Sequence, residues 1–429
     1  MLALLGFGTI AVFLAITLSG RLSVLVGLVL VPLVAGLLGG FGADLGKMMM
    51  DGIVRVAPTG IMIMFAVLYF GLMMGTGIFK PMILGLVSLV RGDPVRLCLV
   101  SAALPMLVAL DGDGATTFLI SITALLPIHR HMRMNPLVLP GIVALAAGTM
   151  NILPWGGPTA RAMSVLGTSS QEIFQPVIPA MLVGLAWVFL VAAYLGLKER
   201  RRLGVAEGFD AGAHVTETAE DESALRPNLF WFNVALTLVL LVMLFTHVLP
   251  LAVIFIIGFA VALLVNYPSW EAQRERLVAH ADSVVTVTTM IFAAGIFTGI
   301  LQGTGMIEAM ATSLVAVVPD GMAPYLPQVV AVASMPLSLA FTPDAFYFGM
   351  LPVFAQTAEA LGHEGVEVGR AAILGQMTTG FPLSPLTAST FILIGLSGVT
   401  LGAHQRFIFK WAFATTLIMA AVAWITGAI

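Results

Sequence analysis

Apolar residues run through this chain in stretches of about 18 or more, the length at which an α-helix crosses roughly 30 Å of hydrocarbon. Such stretches fall near 2–19, 22–40, 58–79, 137–165, 176–197, 229–247, 250–267, 284–303, 371–398 and 407–426, which predicts ten full crossings. Two further apolar segments, 97–128 and 324–356, are each interrupted near the middle by Gly, Pro and Asp. These predict re-entrant hairpins, in which two half-length helices enter and leave on the same side.

Composition reinforces the pattern. Hydrophobic residues make up 59% of the chain and charged residues 10%, with a mean hydropathy of +1.04, whereas a soluble domain carries about 25% charged residues. A lipid-facing surface needs no polar coat, so the 429 residues are expected to form one compact helical bundle rather than several soluble domains. The N-terminus has no basic residue ahead of its apolar run and continues into a second run ending at Gly39-Gly40. It therefore reads as a first span and not as a cleaved leader. Cys98 is the single cysteine, which excludes an intramolecular disulfide and a cysteine-based metal cluster. A net charge of -3 argues against a nucleic-acid partner.

Loop charges orient the spans. Placing Lys198-Glu199-Arg200-Arg201-Arg202 in the cytoplasm follows the bias of basic residues to that side. With both interrupted segments re-entrant, fifteen of the 19 Lys and Arg then lie inside, among them Arg21, Arg91, Arg96, Arg130, Arg133, Arg274, Arg276 and Arg406. Lys47, Arg55 and Arg370 lie outside, and Arg161 falls within a span. Both termini come out external, the first hairpin opens inward and the second opens outward.

The chain also repeats. Gly71-Leu-Met-Met-Gly-Thr-Gly77 recurs as Gly299-Ile-Leu-Gln-Gly-Thr-Gly305, displaced by 228 residues, and at the same displacement Thr159-Ala160 maps onto Thr387-Ala388. Segment 203–227 is the only long hydrophilic connection and reads as a flexible cytoplasmic linker. The expected organisation is a first repeat at 1–202, the linker at 203–227, and a second repeat at 228–429. With five crossings in each half, the second copy is inverted relative to the first. Inverted repeats with broken helices mark secondary transporters.

Four polar elements interrupt the apolar segments: Asp111-Gly-Asp113-Gly-Ala-Thr-Thr117, Asn151-Ile-Leu-Pro-Trp-Gly-Gly-Pro-Thr-Ala-Arg161, Thr342-Pro-Asp344-Ala-Phe-Tyr347 and Pro382-Leu-Ser384-Pro-Leu-Thr387-Ala-Ser389-Thr390. The first and third lie at hairpin tips, and the second and fourth break the span that follows each hairpin. Their matching places predict that they meet at the repeat interface near the midplane. Half-helix N-termini there suit a carboxylate, while Asp, Ser, Thr and backbone oxygens suit a hard cation or a proton. The glycines and prolines also read as kinks with small-residue packing, with even weight for Pro382 to Thr390. A carboxylate at the bilayer centre costs about 2.5–3.5 kcal/mol, which gives Asp111 and Asp113 a functional reading unless the tip reaches bulk water.

Arg161 reads either as a structural counter-ion to an Asp or as a planar fork for a substrate carboxylate. A calcium loop starting at Asp111 would need an acidic residue at its twelfth position, which is Ile122, so that reading fails. A phosphatase-like Asp111 nucleophile would need an α/β domain, and no βαβ pattern exists. His129 and His131, beside Arg130 and Arg133, read as anchors at the inner membrane edge rather than as metal ligands.

Beyond these readings the chain resembles the CitMHS family of metal-citrate:proton symporters within the ion transporter superfamily. The resemblance is carried by Phe41-Gly-Ala-Asp-Leu-Gly46, Met50-Asp-Gly-Ile53, Ala57-Pro-Thr-Gly60, Leu110-Asp-Gly-Asp-Gly-Ala-Thr-Thr117, Met134-Asn-Pro-Leu-Val138 and, most specifically, Asn151 to Ala162. It implies an all-α polytopic membrane protein of two inverted five-helix repeats, each with a re-entrant hairpin and a broken helix. It implies no enzyme but import of citrate complexed with a divalent metal, coupled to protons, by elevator-like movement within a homodimer in the inner (cytoplasmic) membrane. Sodium-coupled relatives in the superfamily carry Ser-Asn-Thr at the hairpin tips, where this chain has Asp111-Gly-Asp113-Gly and Thr342-Pro-Asp344.

On this resemblance the expected substrate ligands are Asp113, Gly114, Thr116, Thr117, Asn151, Gly156, Gly157, Pro158, Thr159, Arg161, Thr342, Asp344, Tyr347, Ser384, Thr387 and Ser389. Proton coupling falls to Asp111, Asp113 or Asp344, and Asp111 and Asp113 meet the metal only within the substrate complex. No tightly bound cofactor is expected; a divalent ion of the magnesium or calcium class arrives with the substrate. Fully ionised citrate with one divalent cation keeps a single negative charge, which suits a site mixing Arg161 and helix N-termini with acidic oxygens. A cation/proton antiporter or a symporter of another carboxylate is the alternative, and a membrane-embedded hydrolase is a more distant one.

Overall fold

The computed structural model describes residues 1–19, 21–206, 223–246, 248–319 and 321–429. Most of the expected linker, 207–222, lies outside the described residues. Among the described residues every regular element is helical. The first half runs α1 (Leu2–Ser19), α2 (Val24–Leu38), α3 (Leu45–Gly75), α4 (Phe79–Ser88), α5 (Pro94–Val108), α6 (Gly114–His131), α7 (Val138–Met150), α8 (Gly157–Leu166), the short α9 (Ser170–Ile173) and α10 (Ile178–Leu203). The second half runs α11 (Phe230–Thr246), α12 (Leu251–Asn266), α13 (Trp270–Ala279), α14 (Ala281–Gly303), α15 (Met306–Val315), α16 (Leu326–Leu337), α17 (Leu351–Ala360), α18 (Gly365–Ile373), α19 (Ala388–Ser397) and α20 (Leu401–Ile425).

Both interrupted segments fold as two helices joined at a break; in the first the two helices pack on each other, and in the second both pack on the helix that follows. In the first, α5 closes in a short 3-10 turn over Ala109–Asp111 before α6 begins. In the second, residues 338–344 separate α16 from a π-helical turn, Ala345–Met350, that leads into α17. The following span is broken in each half, α7 from α8 and α18 from α19. Sequence and structure differ at α3, which begins at Leu45 and not near 58. Asp51 and Arg55 end the apolar run but not the helix, because backbone hydrogen bonding continues wherever polar side chains point away from the packed face. Hydropathy also leaves α4 without an assignment, since it is too short to cross a bilayer.

α3 and α14 form the most extensive helix pair among the described residues, and small residues allow their close approach. A Cβ on Gly52 would strike the carbonyl of Gly295, and one on Gly299 would strike the carbonyl of Met48. Gly295, Gly299 and Gly303 recur every fourth residue, so one face of α14 is bare backbone along its contact with α3. Gly52→Val is expected to destabilise the protein by about 1–3 kcal/mol, the usual cost of overpacking. A lowered thermal unfolding midpoint of the detergent-purified variant checks this; an unchanged midpoint would mean that the helices separate freely.

Candidate functional site

The first hairpin tip is shaped by its own two aspartates. Gly112 takes the left-handed conformation (φ +75) that a tight reversal needs. Asp111 is buried, and its Oδ1 accepts the backbone N–H of Asp113 at 2.8 Å. Asp113 is exposed and caps α6: its carboxylate accepts the N–H of Ala115 at 3.0 Å, the N–H of Thr116 at 3.2 Å and the Thr116 hydroxyl. The Thr117 hydroxyl donates to the Asp113 carbonyl at 2.8 Å. The N-terminal donors of α6 are thus largely taken by the chain's own capping carboxylate.

The break between α7 and α8 is held by its polar side chains. Asn151 accepts the N–H of Gly157, the first residue of α8, at 3.3 Å, and its amide donates across to the carbonyl of Met377 at 2.8 Å. Thr159 donates to the Ile152 carbonyl at 2.5 Å. Trp155 donates from its indole to the Leu110 carbonyl at 2.8 Å and covers Gly112, where a Cβ would lie 3.2 Å from the ring. Gly156 and Gly157 leave room for the Asn151 carbonyl and for the Met377 methyl group, respectively. Pro158 is buried just inside α8.

One turn into α8, Arg161 meets the second hairpin tip. Its Nε donates to Asp344 Oδ1 at 2.8 Å, with the two side chains 19% and 16% exposed. Nη1 donates to the Gly157 carbonyl at 3.2 Å and to Met377 Sδ at 3.4 Å, while Nη2 has no partner among the described residues. The pair is partly buried, and only one edge of the guanidinium is engaged. Thr342 accepts the N–H of Ala345 at 3.2 Å, and Tyr347, fully buried in the π-turn, donates to the Gln376 carbonyl at 2.9 Å. π-turns of this kind occur preferentially at functional sites.

The break between α18 and α19 closes the ring. Met377 has a left-handed backbone (φ +57) although it carries a side chain, a conformation costing about 1–2 kcal/mol that surrounding contacts must hold. Asn151 and Arg161 supply those contacts. Phe381 stacks on Phe118 at 5.6 Å between ring centres and fills the space beside Gly114. Ser384 is buried and accepts the N–H of Leu386 at 3.1 Å. Thr387 precedes α19 without capping it, and its hydroxyl has no partner among the described residues; Ser389 sits half-buried in the first turn. Of the half-helix N-termini, α19 is thus the one lacking a side-chain cap next to an unused hydroxyl.

The sequence profile of the CitMHS family, described as "Citrate transporter", matches residues 4–375. The chain is 49% identical over 429 residues to a "Citrate transporter" of Bacillus subtilis (strain 168), covering 100% of both proteins. This chain belongs to the CitMHS family. A second relative from the same organism, the "Mg(2+)/citrate complex secondary transporter", is 46% identical over 431 residues, covering 100% of this chain and 99% of the relative. The family and these relatives are transporters, not enzymes. Among solved structures, the Alcanivorax borkumensis YdaH transporter aligns with a TM-score of 0.59 at 15% identity, covering 90% of this chain and 88% of its own. Neisseria gonorrhoeae MtrF aligns with a TM-score of 0.64 at 10% identity, covering 99% and 94%. These two likenesses concern the fold alone: this CitMHS chain is a multi-pass, all-helical membrane protein.

In this CitMHS member the expected residues fall into unequal groups. Asn151, Arg161 and Asp344 join the two halves directly, while Gly114 does so through the aromatic pair. Among the described residues no hydrogen bond or ion pair joins Asp111 or Asp113 to Arg161 or Asp344. The expectation of His129 as an interface anchor is corrected: it is buried between α5 and α6, with Nε2 2.9 Å from the Ser101 hydroxyl, because its helix face turns inward while that of His131 turns out. Ser338, Gln376 and Met377 lie at these breaks and contacts without being singled out by the sequence pattern. Their signal is Gly375-Gln-Met-Thr-Thr-Gly380, a small and polar run just ahead of the predicted break at Pro382. Two cavities of about 410 Å³ each also border α8 and α9, but neither is lined by Arg161 or Asp344.

Proposed function

We propose that this protein is a secondary active transporter that imports citrate complexed with a divalent metal of the magnesium or calcium class, together with protons. The observation that carries the reading is the Arg161–Asp344 pair, a partly buried cation and carboxylate that join α8 to the opposite hairpin tip. A substrate carboxylate and Asp344 compete for one guanidinium. When Asp344 takes a proton, the competition ends and the whole fork is released to the anion. Anion and proton then occupy the site together and leave it together, which is symport. The uncapped N-terminus of α19 with Thr387 and Ser389 adds donors for a second carboxylate, and Asp111 and Asp113 are the carboxylates that would meet the metal of the complex. The 46% identical relative named for the Mg(2+)/citrate complex supports this substrate class.

The wider mechanism follows from the same arrangement. The order of helices in the first half recurs in the second, α4 to α8 answering to α15 to α19, which suits two inverted repeats. Hairpins and broken helices would move as an elevator-like unit against the α3–α14 pair, within a homodimer of the inner membrane whose termini are external. Uptake of radiolabelled citrate into proteoliposomes, across a panel of divalent metals and with or without a proton ionophore, tests the reading. Metal-dependent, ionophore-sensitive accumulation is expected; no citrate uptake with any metal under an inward proton gradient sinks it.

A further inference from the structure

Gln376 sits in the break between α18 and α19, one residue before Met377, and is fully buried. Its backbone carbonyl accepts the Tyr347 hydroxyl at 2.9 Å, and its side-chain Oε1 accepts the Ser338 hydroxyl from the second hairpin tip. The first contact holds the backbone of this stretch, and the second holds the oxygen of the side-chain amide. Gly375 and Gly380 let this stretch wrap closely around the end of α16, since a Cβ at either would strike Ser334 or Ser338. The amide nitrogen, held in place by these contacts, has no acceptor among the described residues. An unpaired buried donor costs about 1–3 kcal/mol, so a fully buried side chain held through its amide oxygen yet left with an unused N–H pair is shaped for something that arrives.

We infer that the Gln376 amide nitrogen donates to a carboxylate oxygen of the substrate, making Gln376 a specificity-determining residue of the site formed by Arg161, Asp344 and α19. This rests on the transport reading above. Its chemistry complements that of Arg161. Arginine supplies charge and a fork, whereas a neutral amide donor recognises an anionic oxygen without adding a charge that would repel the metal in the complex. Ser338 is then a positioning residue: by donating to Oε1 it turns the nitrogen, rather than the carbonyl, toward the substrate.

Gln376→Met keeps the volume and removes the donor. Calorimetric binding of citrate with magnesium to the purified full-length protein is expected to weaken by about 10- to 100-fold, the range for one hydrogen bond to a charged group. KM for uptake should rise in parallel with kcat little changed, a split that a merely structural role would not produce. Gln376→Glu, of the same size and without a donor when ionised, serves as the second variant should the first not fold. Ser338→Ala should weaken binding less than either. Wild-type affinity in a folded Gln376 variant overturns the assignment. Binding without uptake by the wild-type protein sinks the transport reading and leaves the Gln376 test intact, and a wild-type protein that binds no metal-citrate overturns both.

Discussion

Arg161→Lys is expected to reduce metal-citrate uptake by about 100-fold while the protein still folds and inserts, since lysine keeps the charge but loses the planar fork. The geometry of the wild-type side chain explains why charge is insufficient. Nε is committed to Asp344 at 2.8 Å and Nη1 to Gly157 and Met377, so the guanidinium is fixed in plane and orientation before substrate arrives. A lysine ammonium reaching Asp344 would spend its single centre on that carboxylate. It would leave Met377, whose left-handed backbone those contacts hold, without its partner at sulfur. Arg161→Ala is expected to be worse, because it strands Asp344 as an uncompensated carboxylate; truncating one member of a desolvated charge pair costs about 2–5 kcal/mol. Initial uptake rates in proteoliposomes, with the unfolding midpoint measured beside them, check both variants. Lysine rates within about threefold of wild type, well below the roughly 1.4 kcal/mol that corresponds to a tenfold change, would place the substrate elsewhere.

The parts of the site legible in the sequence are those that break a rule of membrane helices. Asp111, Asp113 and Asp344 are costly in lipid, and Pro158, Pro343 and Pro382 with their glycines cannot continue a regular helix, so the apolar runs are visibly punctuated there. Two kinds of information stay hidden in the linear pattern. Capping is a matter of one residue's register: Asp111 and Asp113 look alike in the sequence, yet only Asp113 stands immediately before α6 and spends its carboxylate on that helix's own N–H groups. Neutral polar residues also raise no alarm in an apolar stretch. Gln376 and Ser338 acquire their meaning only from burial and from each other, across 38 residues of chain. The pairing of Arg161 with Asp344 spans 183 residues, and the sequence offers several aspartates with equal claim.

Asp344→Asn is expected to separate anion movement from proton movement. The amide copies the protonated carboxyl in size and withdraws the charge that competes for Arg161, so metal-citrate binding at neutral pH should be as tight as in the wild type or tighter. Exchange of labelled for unlabelled citrate should persist, while accumulation driven by an inward proton gradient should collapse to the level set by the citrate gradient alone. In the symport reading an inward proton gradient drives wild-type uptake, whereas the Asn variant has no proton-accepting group at that place and its uptake loses that dependence. Asp113→Asn supplies the contrast. Asparagine caps helices about as well as aspartate, and Asp113 has no bond to Arg161 among the described residues, so that variant should keep both its fold and its dependence on the proton gradient. Proton-driven accumulation is read from uptake with and without ionophore at matched internal pH. The opposite outcome, coupling intact in Asp344→Asn and lost in Asp113→Asn, would move the proton site to the first hairpin tip, where Asp111 lies buried behind the same turn.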